Sequence, residues 1–267
     1  MDTTISYAAL EQLKYTIDED PALEAYNTVH RILDTFGRIL SNINTNFTHF
    51  NKKFKRSELK FFHNSKVLGL KNLYKTRYFD PNLSIPIPSG MKVSYLQAVE
   101  TIVKLFKQIN IAETLYHLER FQKFADINID DVIKDINKVT KDQVQDDLRT
   151  IFSSDKTMEV PLSKVITNLN QVKEIDNYIL EYETIFQKVP EYQLKINNIE
   201  KNIDILITDM EHNKARLDHN YVRKLHELVS VTAVQIDMFG VVLAEAQRIE
   251  HNFVIVLQRL VQAAATH

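Results

Sequence analysis

The chain has 267 residues, of which 44% are hydrophobic and 25% charged, with a net charge of −2. That is enough apolar material for a substantial core, in one large domain or two of ordinary size. It has no cysteine, which excludes disulfides, thiolate metal sites and cysteine nucleophiles, and only four glycines and six prolines. Tight sheet turns draw on glycine, so this scarcity predicts an all-α fold built from a few long helices.

The N-terminus, Met1-Asp2-Thr3-Thr4, has no basic region followed by an apolar run, so no secretory signal is expected. The most apolar window, Phe239 to Val261, contains Glu245, Arg248, Glu250, His251 and Arg259, which argues against a lipid-facing span. The expected location is therefore the cytoplasm or a viral particle. Abundant asparagine, isoleucine and lysine fit an AT-rich genome, as in many viruses, by compositional association alone.

In chain order, Ile5, Leu10, Leu13 and Ile17 make a short amphipathic segment. Asp20 followed by Pro21 is a helix-start signal, and the predicted second helix carries Val29, Ile32, Phe36, Ile39, Ile43, Phe47, Phe50 and Phe54. Residues 52–77 then break the charge balance. Lys52, Lys53, Lys55, Arg56, Lys60, Lys66, Lys71, Lys75 and Arg77 face one acid, Glu58, which makes the segment +8 and leaves the remainder at −10. Phe54, Phe61, Phe62, Tyr74, Tyr78 and Phe79 are interleaved with them. Such a stretch is either a phosphate-binding surface, for nucleic acid or anionic membrane, or a helical hairpin with an aromatic core and a solvated lysine face.

Residues 79–93 are expected to form a long loop. Pro86 and Pro88 cannot both sit inside a helix, and they hold Ile85 and Ile87 extended, against the protein's own surface. Ser94 is predicted to open a helix that ends near Ala125. The acidic stretch 126–147 should form one further helix, capped by Asp126 or Asp130 and carrying Val132, Ile136, Val139 and Val144. Its Asp126-x-Asn128-x-Asp130 opening resembles an EF-hand loop. However, Asp131 stands where that loop needs glycine, and Asn137 where it needs a bidentate glutamate.

Pro161 is predicted to start a helix that closes at Val189, with Pro190 opening the next. So short a connection implies a long antiparallel helical hairpin. From Tyr192 the apolar residues alternate steps of three and four: Tyr192, Ile196, Ile199, Ile203, Leu206, Met210. A second run follows with Leu225, Leu228, Thr232, Gln235, Phe239, Val242, Ala246, Ile249, Phe253, Val256, Leu260 and Ala263. Counting sevens from Ile196 reaches Lys224 where the second run needs Leu225, so a break is placed within Glu211 to Asn220. The first run finds a partner in residues 161–189, whereas the second must be covered by the N-terminal helices or by another copy.

The expected architecture is an elongated helical bundle with a coiled-coil-like C-terminal helix. Residues 1–150 would form an N-terminal helical region and residues 151–267 the hairpin and coiled-coil region. Nothing points to catalysis: no H-E-x-x-H, glycine-rich phosphate loop or distinguishable Ser–His–Asp order is present. His212, His219 and His226 recur every seven residues, too far apart along one helix to chelate together. No catalytic, cofactor-binding or metal residue, no cofactor and no small-molecule substrate is assigned.

The leading expectation is a non-enzymatic structural or assembly protein, a homo-oligomer or part of a larger assembly such as a viral particle. It would self-associate through the C-terminal seam Phe239, Val242, Ile249, Phe253, Val256 and Leu260. The alternative is a binder of nucleic acid or anionic membrane acting through residues 52–77.

Overall fold

The computed structural model describes Thr45 and residues 71–122, 128–151, 157–213 and 219–266. The predicted helices within residues 5–56 lie outside the described residues, apart from helical Thr45.

The described chain is mostly helical, with one small sheet that the all-α expectation lacked. A helical turn at 71–76 ends where Arg77 takes a left-handed conformation, φ 54°. Strand β1, Ser84–Pro88, lies within the predicted loop and pairs antiparallel with β2, Thr157–Pro161. The register sets Ser84 against Pro161, Ile85 against Val160, Pro86 against Glu159, Ile87 against Met158 and Pro88 against Thr157. Three of those pairs contain a proline, which has no N–H to donate, so the exchanged hydrogen bonds must fall on Ile85–Val160 and Ile87–Met158. Ile85 and Ile87 are fully buried, as expected of apolar residues lying against the protein's own surface. A turn follows, closed by the Met91 amide on the Pro88 carbonyl at 3.2 Å. Gly90 supplies its φ of 85°, which a side chain would disfavour.

Helix α1, Tyr95–Ile109, begins at the predicted cap. The Ser94 hydroxyl accepts from the Gln97 amide, and the Gln97 side chain accepts from the Ser94 amide. The helix does not run to Ala125. Asn110 breaks it at φ 40°, donating its amide to the Phe106 carbonyl, and α2, Ile111–Gln122, starts at the next residue. Asparagine tolerates this left-handed geometry better than most residues, which lets the chain turn a corner in one step.

The acidic stretch makes two helices where one was predicted: α3, Ile129–Ile136, and α4, Lys141–Ile151. The residue at the N-cap of α3 is Asn128, not Asp130, and Thr140 caps α4 by accepting from the Gln143 amide. Val139, in the connection, is buried.

Pro161 closes β2 and leads into the short 3₁₀ turn Leu162–Lys164, so the predicted helix start there is corrected. Helix α5, Leu169–Asn213, begins after Asn168, whose side chain accepts from the Gln171 amide. It then runs 45 residues straight through Pro190. Phe186, Val189 and Tyr192 are buried around that proline, and their packing holds the helix across a residue that intrinsic preference would exclude. Residues 161–189 and the first apolar run therefore do not fold back on each other; from Leu169 they are one element.

Helix α6, His219–Ala265, is 47 residues long. The described ends of α5 and α6 bracket residues 214–218, so the break expected from the one-residue phase shift lies outside the described residues. Of the three regularly spaced histidines, His212 lies on α5, and His219 and His226 lie on α6. Every position of the second run from Leu228 to Leu260 is buried. Val229, Ile236, Leu243 and Leu257, each one residue beyond a seam position, are buried as well. A stripe this wide belongs to a helix facing several neighbours, where a two-stranded seam needs only the narrower set.

Those neighbours are α1, α2, α3, α4, α5 and β1. Tyr95 meets Phe253 with ring centroids 6.0 Å apart and Phe106 meets Phe239 at 5.5 Å, so α6 runs antiparallel to α1. Lys107 pairs with Glu181 at 2.7 Å and the Tyr178 hydroxyl donates to Glu100, so α5 runs alongside α1 in the same direction. Phe239 also meets Tyr192 of α5 at 6.1 Å. Residues on both sides of position 150 share one hydrophobic core, and the β1–β2 pair bridges them. One segment of α6, from Glu227 onward, is long and apolar enough to cross a membrane by length and composition alone, yet half of its most apolar window is buried inside this core.

Candidate interaction surfaces

The six residues predicted to form a self-association seam do line one face of α6, but that face is occupied. Phe239, Val242, Ile249, Phe253, Val256 and Leu260 are all buried within the single chain, against helices that precede them. The periodicity identified an interior face correctly; it could not identify the partner. Of the two covers considered, helices that precede α6 in the chain, α1 to α4, contact it.

Of the nine basic residues, Lys52, Lys53, Lys55, Arg56, Lys60 and Lys66 lie outside the described residues. Lys71 and Lys75, one helical turn apart, and Arg77 beyond them are all exposed. Tyr74, among them, has its hydroxyl pushed up to about 12 by burial and by the nearby Asp176 carboxylate.

Three of the six described aspartates of the acidic segment pair with bases. Lys138 pairs with Asp135 at 2.7 Å, Arg149 with Asp146 at 3.2 Å and Lys224 with Asp130 at 3.7 Å. The Lys138 hydrogen bond and charge hold the Asp135 carboxyl below the ordinary aspartate range. Asn128, third in the EF-hand-like opening, donates to Asp131 at 2.7 Å. Asp126 lies outside the described residues. Among the described residues, no group of three or more histidines, aspartates and glutamates is arranged to hold a metal ion.

Two surfaces were not legible as sites. On α5, Leu180, Leu194 and Ile205 are 42%, 60% and 58% exposed. Their spacings of 14 and 11 residues bring all three within an arc of about 40° at 100° per residue, along about 38 Å of helix. They fall off the three-four seam that buries Tyr192, Ile196 and Ile199, and that offset was the only sequence signal they carried.

The second surface is the sheet. Arg259 of α6 reaches over β1, donating to the Ser84 carbonyl at 2.8 Å and, through both terminal nitrogens, to Glu159 at 2.8 and 3.0 Å. The Ser84 hydroxyl adds a third hydrogen bond to that carboxylate at 2.7 Å. The hydrogen bonds from Arg259 first, and then from Ser84, hold Glu159 below the ordinary glutamate range.

Compared with family models, curated proteins and solved structures, the chain matches none.

Proposed function

We propose that this chain is a non-enzymatic structural or assembly protein that self-associates through the outer face of its long C-terminal helices. The buried seam of α6 does not serve that role in this reading; the exposed aliphatic residues of α5, Leu180, Leu194 and Ile205, do. The observation that carries it is the alignment of Leu180, Leu194 and Ile205 on one solvent-facing stripe. Single exposed leucines are ordinary; in this reading the three on one face of α5, about 21 and 17 Å apart with Gln187, Glu191 and Asn198 between them, are separate aliphatic anchor points for a second helix. The partner is a second copy, with α5 packed on α5 in a homo-oligomer or a larger assembly, in the cytoplasm or in a particle such as a virion. The same reading takes α5 and α6 as the arms of a long antiparallel hairpin in an elongated bundle, with coiled-coil-like contact between copies.

Sedimentation velocity at micromolar concentration tests this. Wild type should sediment as an oligomer, and Leu194→Asp with Ile205→Asp should shift it toward monomer with unchanged helical circular dichroism. A wild-type chain that stays monomeric throughout the concentration range overturns the proposal.

A second reading, binding of nucleic acid or anionic membrane, draws support from Lys71, Lys75 and Arg77, all exposed and, among the described residues, in no ion pair. Phosphate binding weakens steeply with salt. Absence of binding to DNA, RNA and anionic liposomes at low salt removes this reading.

A further inference from the structure

The two edges of the β1–β2 pair differ in a way that the register makes explicit. The inward hydrogen bonds belong to Ile85–Val160 and Ile87–Met158, so the backbone groups of the intervening residues point away from the partner strand. On β1 those outward positions are Ser84, Pro86 and Pro88. The two prolines have no amide to offer, and the Ser84 carbonyl is taken by Arg259. That edge is closed to a further strand by the usual devices, proline and a charged side chain. On β2 the outward positions are Thr157, Glu159 and Pro161. Thr157 and Glu159 each keep an amide and a carbonyl without a backbone partner among the described residues, and both residues are exposed. Met158, between them, is 42% exposed.

We propose that this open edge of β2 pairs antiparallel with β2 of a second copy of the chain, forming a four-stranded sheet, β1–β2–β2–β1, about a two-fold axis. This rests on the self-association reading above and assigns it a second surface. The chemistry favours an identical strand. In the register centred on Met158, Thr157 of each copy faces Glu159 of the other, and the two pairs exchange four main-chain hydrogen bonds. Met158 then faces Met158 of the second copy in a non-hydrogen-bonded pair, where side chains approach most closely, at a Cα separation of about 4.5 Å. No like charges stand directly opposite. Each Glu159 enters the contact already neutralised by its own Arg259. The contact is isologous, so it closes at two copies.

The test uses substitutions that leave the internal ladder intact. Thr157→Pro removes an outward amide opposite Pro88, where the β1–β2 pair needs none. Met158→Lys puts two ammonium groups face to face across the axis. By sedimentation, each should raise the dimer dissociation constant at least tenfold, with unchanged circular dichroism. An equimolar mixture of Met158→Lys and Met158→Glu chains should recover association, because opposite charges then meet at the same point. Recovery is a result that misfolding cannot produce. If these variants associate as wild type does while the Leu194→Asp, Ile205→Asp chain is monomeric, strand pairing falls and self-association through α5 stands. A wild-type chain that is monomeric at every concentration overturns both.

Discussion

Gln235 is buried on α6, and its side-chain amide donates to the Ile136 carbonyl at 2.7 Å, tying the last turn of α3 to the central helix. Gln235→Leu keeps the volume but strands that carbonyl, so it should cost about 1–3 kcal/mol in thermal or denaturant unfolding. The Tyr95 hydroxyl is the opposite case, because it is buried against Phe253 with no hydrogen-bond partner among the described residues. Tyr95→Phe removes an unpaired polar atom and should be neutral, or stabilise by up to about 1 kcal/mol. Burial also pushes the Tyr95 hydroxyl far above the ordinary tyrosine value of 10.0. A raised folded-state value means that the stability from burying the neutral phenol is complete below pH 10.0 and is lost as the pH climbs through the folded value. Spectrophotometric titration should show the Tyr95 phenolate emerging together with unfolding. Glu159 works in the reverse sense. Its folded value is lowered by Arg259 and Ser84, so its contribution is present above the ordinary glutamate range and is lost on acidification through the lowered value. Arg259→Ala should flatten that acid limb while leaving the alkaline one unchanged.

At the scale of elements, α5 shows where local rules and packing disagree. Pro190 contributes no amide to the helical ladder, yet the helix continues because Phe186, Val189 and Tyr192 are buried around it. Pro190→Ala restores the amide at an exposed position and should raise stability by about 1–3 kcal/mol, read as a higher melting temperature. Elements announced by short-range chemistry were legible: the helix start at Ser94, the extended prolines near Ile85 and Ile87, and the three-four stripe of α6. The illegible ones depend on distant residues or on a single backbone angle. Strand β1 needs β2, more than 60 residues away, and no periodicity records that pairing. The corner at Asn110 is one left-handed residue inside an uninterrupted amphipathic pattern. The candidate surfaces were hidden for a related reason. A hydrophobic run shows which face is interior but not which helix lies opposite, so α6 read as an unsatisfied seam, and Leu194 and Ile205, off the three-four seam, carried no expectation.

For the whole molecule, α6 is the common wall against which α1 to α4 and β1 are assembled. Truncation before it therefore removes the shared side of the core. A chain ending at Asn220 should lose cooperative unfolding and near-ultraviolet dichroism together, instead of staying partly folded and merely losing association. Phe253→Ala, in the middle of that wall and against Tyr95, should cost about 3–5 kcal/mol by the usual penalty for a large cavity. This central helix also follows in the chain every element it covers. At about 5–20 residues per second, its 47 residues take about 2–9 s to synthesise. During that interval the segments of α1 to α5 have been made, but the part of their apolar surface that α6 covers is not yet buried. The nascent chain thus passes through an obligatory sticky stage on the ribosome, and a stall or premature stop within α6 leaves behind a chaperone substrate instead of a smaller folded protein.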